Sequence, residues 1–434
     1  MIDNKPFIKA GAASIKLTDD NMTELGGSVQ AFPKKWEGEF RASALILESV
    51  QKVCIVSLDA LIVPQDVADS AVKRIAVRTG IPESNILICA THTHGGPSPI
   101  NFLGLSPDKE FLRRLEEGSV LAAVKASAAM NEDTSSVELL FGHSQEATVG
   151  RNSRLLLKDG MVGWYGYNET DIVRPTGPYD PDLYVLALRR RDGTFAGLAF
   201  NHSTHNLGKI QEDCLSPCFY GLSAQETARR HHAVTLFLPG AFGSTHNCTF
   251  TNSGVSPTEC VHRVVGAVED SLSCLQSSSS GTVSVLRRGF DYKIRRFDEG
   301  RESAAVSNYM KKYAPQESAE AMKVFRKMRD EMVPHQGETR RTYIQIIRLG
   351  QIVFVGIPGE LFARLGLDLR YRSPFRHTCI IGLSGGYIGY IPDRQAYIDG
   401  GYQTWAGWHS PLEEGTGEAM VAQVLEMLKE VTGR

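Results

Sequence analysis

Ser84-Asn85-Ile86-Leu87-Ile88-Cys89-Ala90-Thr91-His92-Thr93-His94-Gly95-Gly96-Pro97 joins a short apolar run to a pair of histidines. Residues 86–90 are uncharged and β-prone and lie between turn formers, the pattern of a buried strand. Residues two apart in an extended chain share a face, so the spacing projects His92 and His94 together from the strand's end. Gly95, Gly96 and Pro97 then stop the strand and let other backbone or a ligand come close. Two imidazoles on one face at the mouth of a buried strand suit a zinc site completed by a carboxylate or another donor. The alternative is a pair of hydrogen-bonded histidines at a strand end.

The flanking sequence places this strand in an α/β fold. Residues 53–59 are nearly all apolar, as a central strand requires. Val67, Ala68, Ala71, Val72, Ile75 and Ala76 then form one helical stripe, and Gly80 can end that helix. Strand, helix and strand in that order make a crossover unit with a parallel pair. Further strands are expected at 9–17, 42–48, 234–238 and 378–383. Hairpins are expected at 184–190 with 195–201 around Asp192-Gly193, and at 342–349 with 352–357 around Gly350. Helices are expected at 108–130, 258–275, from 361 onward and at 416–431, with a polar connection at 277–280. Residues 293–341 are charged and read as a helical cap or surface excursion. With no internal repeat and no clear boundary, the expected architecture is α/β, mixed β-sheets with flanking helices, in a single catalytic domain spanning 1–434.

Composition narrows the function classes. The chain has 434 residues, 42% hydrophobic and 22% charged, enough for a substantial core. A net charge of -2 gives no footprint for nucleic acid or an anionic membrane, so neither is an expected partner. The opening Met-Ile-Asp-Asn-Lys-Pro-Phe lacks the regions of an export signal, and no apolar run approaches bilayer length. Eight cysteines are scattered without a CxxC pair, as expected for reduced thiols in a cytoplasmic protein. A homo-oligomer is left open.

Two further strand ends carry chemistry. Phe200-Asn201-His202-Ser203-Thr204-His205-Asn206 repeats the strand-to-histidine arrangement, and Pro358-Gly359-Glu360 puts a carboxylate at the tip of a third apolar strand. Glu360 alone would serve as a favourable charge at the start of the following helix. Two histidine clusters and a glutamate at three strand ends together match a catalytic zinc held by two histidines and a carboxylate. Gly382-Leu383-Ser384-Gly385-Gly386 fits the G-x-S-x-G pattern, but extended chain follows it where a nucleophile elbow needs a helix. His231-His232 reads as a solvated helix end. No G-x-G-x-x-G or phosphate-loop lysine marks a nucleotide site.

Ala-Thr-His-Thr-His-Gly-Gly-Pro at 90–97 resembles the Ala-Thr-His-Thr-His-Ser-Gly-Pro motif of the neutral/alkaline (non-lysosomal) ceramidases and their bacterial relatives. The likeness continues in order through residues 9–17, 201–205, the loop 240–247, Gly356-Ile357-Pro358-Gly359-Glu360-Leu361, and the tyrosine segment from Gly386 to Tyr402. The resemblance implies a zinc amidohydrolase with His92, His205, Glu360 and Tyr390 as ligands. His94 and Tyr402 would line the site and contact substrate or the developing oxyanion. The ceramidases have an active-site serine in the loop matching 243–247; His246 stands there, with Ser244 and Thr245 just before it. Their Asn-Arg pair is Asn152-Ser153 here, flanked by Arg151 and Arg154, either of which could serve. The chain ends without the ceramidases' additional C-terminal domain, so ceramide itself is not the expected substrate.

The resulting expectation is a Zn2+-dependent hydrolase cleaving an amide, or less readily an ester or lactone, in a small polar molecule by metal-activated water. His94 or His246 would relay the proton, and Tyr402 with Arg154 would stabilise the oxyanion. A zinc-dependent lyase or isomerase, or a metal-containing binding protein without turnover, are the alternatives.

Overall fold

The computed structural model describes residues 8–18, 35–101, 106–133, 135–211, 214–247, 255–278 and 283–433. Three mixed sheets carry the architecture. The first has the order Lys9–Lys16, Arg41–Glu48, Lys52–Leu58, Ile86–Ala90. The second runs Thr235–Pro239, Phe195–His202, Asp182–Arg190, Val137–Gln145, Gln276–Ser277, and the third Val283–Lys293, Thr339–Leu349, Ile352–Gly356, His377–Ile381. Each sheet contains one parallel pair: Lys52–Leu58 with Ile86–Ala90, Phe195–His202 with Thr235–Pro239, and Ile352–Gly356 with His377–Ile381. A helix crosses over in each case: Gln65–Thr79, Cys218–His231 and Ala363–Arg372. A second helix lies beside each crossover: Lys109–Glu132, Pro257–Ser273 and Thr416–Thr432.

Strand alternation sorts the core. Leu45, Leu47, Val53, Ile55, Leu87 and Cys89 of the first sheet meet Leu186 and Leu238 of the second and Phe354 and Ile381 of the third in one shared central core. The alternate residues Ala44, Ile46, Val56, Ile86 and Ile88 face the two helices of their own unit. Equivalent outer cores lie under the helix pairs of the second and third sheets. Both faces of the parallel strands are therefore buried, which explains their continuous apolar sequence.

The helix expected at 108–130 is Lys109–Glu132, with the Asp108 carboxylate accepting from the Phe111 amide as its cap, worth about 1 kcal/mol. The excursion at 293–341 forms the helices Glu299–Tyr313 and Ser318–Met332. It is inserted between two eleven-residue antiparallel strands, the first of which the sequence reading did not assign. Charge on these helices disguises a purpose-built inner face: the buried Arg329 guanidinium grips Glu299 at 2.7 and 2.9 Å, while Val306, Tyr309, Met310 and Phe325 enter an aromatic cluster with Trp164, Tyr402 and Trp405. Among the described residues no helix is long and apolar enough to cross a membrane. Among the described residues no disulfide joins two cysteines, and Cys248 and part of the 277–280 connection lie outside the described residues.

Candidate metal centre and its cavity

Parallel strands put loop-borne residues at their C-terminal ends, and the three pairs aim theirs at one point. The first histidine pair does not arrive there as an extended strand. The strand stops at Ala90, and His92 adopts the left-handed φ of 60°, a conformation costing a non-glycine residue about 1–3 kcal/mol. The turn sets the two rings 4.8 Å apart and perpendicular. Thr93 bridges to Asn206, whose amide side chain donates to the carbonyls of Thr91 and Pro217, so the segment is tied to the second histidine loop. Asn206 is a framework residue that the sequence reading passed over.

His92 Nδ1 lies 2.8 Å from the Leu61 carbonyl and His205 Nδ1 lies 2.6 Å from the Thr245 carbonyl. A carbonyl only accepts, so both Nδ1 atoms carry the proton and, in the neutral imidazoles, both Nε2 atoms present lone pairs. Those lone pairs face Glu360 Oε2, at 3.7 Å from His92 and 3.2 Å from His205. His94 Nε2 is 3.2 Å from His92 Nε2, and the Tyr390 hydroxyl is 3.4 Å from His205 Nε2. Two donors that share a tetrahedral ion at about 2.1 Å stand about 3.4 Å apart, so these separations are those of a ligand shell. The donor atoms of His92, His94 and His205 all fall within 4.8 Å of one another.

Glu360 supplies the decisive test of fit. Its Oε1 accepts from the Tyr387 hydroxyl at 2.9 Å, but its Oε2 is buried and accepts no hydrogen bond. A buried carboxylate oxygen facing two imidazole lone pairs is unfavourable unless a cation joins them. The carbonyl partners behind His92 and His205 are the outer-shell contacts that orient metal-binding imidazoles. Burial, then His94 and His205, hold His92 well below the usual imidazole range. Neutral imidazoles are what a metal takes. Gly243 lets the 240–247 loop cross this shell, because a Cβ there would lie 2.1 Å from the Glu360 carbonyl oxygen.

The structure thus brings His92, His94, His205, His246, Glu360, Tyr390 and Tyr402 to one cavity of about 190 Å3. His246 stacks on His205 at 4.3 Å with 9° between the rings, and burial, then His205 and His94, keep it well below the usual imidazole range. Ser244 points elsewhere: its buried hydroxyl accepts from the Ala363 amide at the start of the third crossover helix. The Thr245 hydroxyl donates to the Ser203 and Phe242 carbonyls. His202 turns away to Tyr220 and the Glu146 carbonyl. Ser384 lies outside the cavity lining, and no helix follows it.

Neither arginine lines the cavity. Arg154 is fully buried behind it, donating to Gln403 and to the carbonyls of Ala396 and Gly400, while Arg151 pairs with Glu169 at the surface. Arg154 was expected to contact substrate because it flanks the matching segment, but its guanidinium is committed to the backbone that carries Tyr402. Sequence reasoning missed Tyr387 and Trp164, which both line the cavity. The Trp164 indole stacks on Tyr402 at 4.1 Å with 4° between the rings, and His409 covers Tyr402 at 4.9 Å. Only the unusual density of aromatic residues at 161–167 and 397–409 hinted at this.

The arrangement has a counterpart among solved structures. Neutral ceramidase from Pseudomonas aeruginosa superposes with a TM-score of 0.71 at 16% identity, over 98% of this chain and 75% of that one. A ceramidase complexed with C2 superposes at 0.73, also at 16% identity, over 99% and 76%. The chain has the neutral ceramidase fold. No protein-family model matches the sequence, and no curated protein matches it either. The likeness is one of architecture, and the ceramidase-like fold is what positions the donors described above.

Proposed function

We propose that this protein is a zinc-dependent hydrolase that cleaves an amide bond in a small molecule with an activated water. The observation that carries the reading is the orphaned Glu360 Oε2 facing the lone pairs of His92 and His205. The ceramidase fold supports an amide as the scissile bond. His92, His205 and Glu360 would hold the ion, with His94 and the Tyr390 hydroxyl at the same point. When bound, zinc supplies Lewis acidity, which polarises a carbonyl and makes water easier to deprotonate.

The chain's own groups supply the rest. Burial, then Glu360, raises the Tyr402 phenol, so its hydroxyl stays protonated and can donate to the developing oxyanion. Tyr387 is raised for the same reasons and keeps its hydrogen bond to Glu360 Oε1, fixing the carboxylate's orientation. His94 and His246 are the imidazoles available to move a proton.

The test is elemental analysis of the purified protein followed by a panel of small amides and esters. About one zinc per chain and zinc-dependent amide cleavage are expected. His205→Ala should lose both, whereas His231→Ala should lose neither, because His231 pairs with Glu269 away from the cavity. Stoichiometric zinc without turnover of any amide or ester would refute the hydrolase.

A further inference from the structure

Besides the donors, the cavity is lined by Leu61, Ile62, Ile100 and Leu207, together with Trp164 and Tyr402. Among the described lining residues there is no lysine or arginine, and Glu360, the one carboxylate, faces the imidazoles. The guanidinium of Arg154 is engaged by Gln403, Ala396 and Gly400, so it cannot turn in to meet an anion without leaving three acceptors. An ionised group on the substrate would have to shed water against aliphatic side chains with no countercharge, and that costs several kcal/mol. A small polar metabolite, the expectation from sequence, is therefore poorly served by this wall.

Size sharpens the point. A cavity of about 150 Å3 lined by leucine, isoleucine and phenylalanine is large enough for benzene; this one is about 190 Å3. It has room for one ring and the adjoining amide. The half-buried Trp164 lines the cavity in a fixed position: its indole stacks on Tyr402, and its backbone amide donates to the Tyr309 hydroxyl at 2.6 Å. Fixed aromatic surfaces favour offset or edge-on rings.

We infer that the substrate places an uncharged, compact aromatic group, about the size of one ring, against Leu61, Ile62, Ile100, Leu207 and Trp164, beside the amide that is cut. The inference rests on the hydrolase reading for the bond broken. The group that fills the wall is read from the wall alone, so the two can fail separately.

Isothermal titration of the full-length protein, zinc-loaded and metal-free, with acetohydroxamate, benzohydroxamate and 4-carboxybenzohydroxamate separates them. Benzohydroxamate should bind at least about 10-fold more tightly than acetohydroxamate in both forms, and the added carboxylate should cost at least about 10-fold. Zinc should raise the affinity of all three. Trp164→Ala should close the gap between the first two probes. If that variant does not fold, the wild-type series still decides. Equal binding of acetohydroxamate and benzohydroxamate, tight binding of the carboxylated probe, or no binding of any probe overturns the inference. Absence of any zinc effect with the aromatic preference intact instead overturns the metal reading and leaves this inference standing.

Discussion

Replacing Glu360 by glutamine should stabilise the metal-free protein and weaken the metal-bound one. In the wild type, Glu360 Oε2 is buried without a hydrogen bond, 3.2 Å from the His205 Nε2 lone pair. The glutamine amide can donate to that nitrogen while its oxygen keeps the Tyr387 hydroxyl. Removing an unsatisfied buried group is worth about 1–3 kcal/mol. For 434 residues the unfolding entropy is about 0.9 kcal/mol/K, so metal-free E360Q should melt about 1–3 °C above wild type. Zinc cancels this gain and, except at the gain's upper limit, reverses the order. At free zinc 1,000 times the wild-type Kd, binding contributes about 4.1 kcal/mol; if losing the carboxylate weakens binding about 100-fold, about 1.4 kcal/mol remains. Thermal unfolding with and without zinc, alongside calorimetric titration of zinc, reads both effects. A metal-free E360Q that is less stable than wild type and binds zinc as tightly would refute the account, because Glu360 would then be an ordinary structural carboxylate.

Ser244→Ala should lose about 0.5–2 kcal/mol through the lost cap at Ala363 yet keep most of the activity; His246→Ala should lose about 100-fold in kcat while retaining zinc, and an acyl adduct on Ser244 by intact-protein mass measurement would contradict both. Asp159 staples the helical excursion: partial burial alone would raise its carboxyl, but Lys312 and Tyr313 at 2.6 Å more than offset this and hold it at about 2. A carboxyl depressed on folding stabilises the fold above its unfolded value of about 4 and stops doing so as pH falls through about 2. Because the pair is partly exposed, the contribution is no more than about 1 kcal/mol, and Asp159→Asn should flatten the acid limb of a denaturant-measured stability profile between pH 4 and 2. An unchanged limb would show that the staple contributes nothing.

The sequence carried the donors more faithfully than the wall. His92, His94, His205 and Glu360 were legible because each follows an uncharged strand and the three strand ends together match a histidine–carboxylate donor set, although each alone has a structural alternative. Tyr390 and Tyr402 followed from the ordered likeness to the ceramidase motifs. What sequence could not give was direction. His202 and His205 sit three apart at one strand end, yet one faces Tyr220 and the other the donors. Arg154 was placed at the substrate on proximity in the chain alone, and its guanidinium runs behind the cavity. Trp164 comes from an irregular segment whose place depends on helices more than 130 residues later, through the Tyr309 hydroxyl. No local pattern encodes that contact.

The origin of the donors has an energetic consequence. His92 and His94 come from the first sheet's parallel pair, His205 and His246 from the second sheet's pair and the loop that follows it, and Glu360, Tyr387 and Tyr390 from the third. Each pair is built locally by its own crossover, so the sheets could form without the ion. What an ion would join is the tips, where one buried carboxylate and several lone pairs oppose one another. Above the sheets the shared apolar core no longer reaches, and the left-handed turn at His92 adds local strain. A metal there would offset that strain and the unpaired carboxylate together, while Asn206 and Gly243 keep the loops close enough to be joined. Such a centre is preorganised to hold a small cation before substrate arrives, and it leaves the aliphatic and aromatic wall, rather than the metal shell, to choose the substrate.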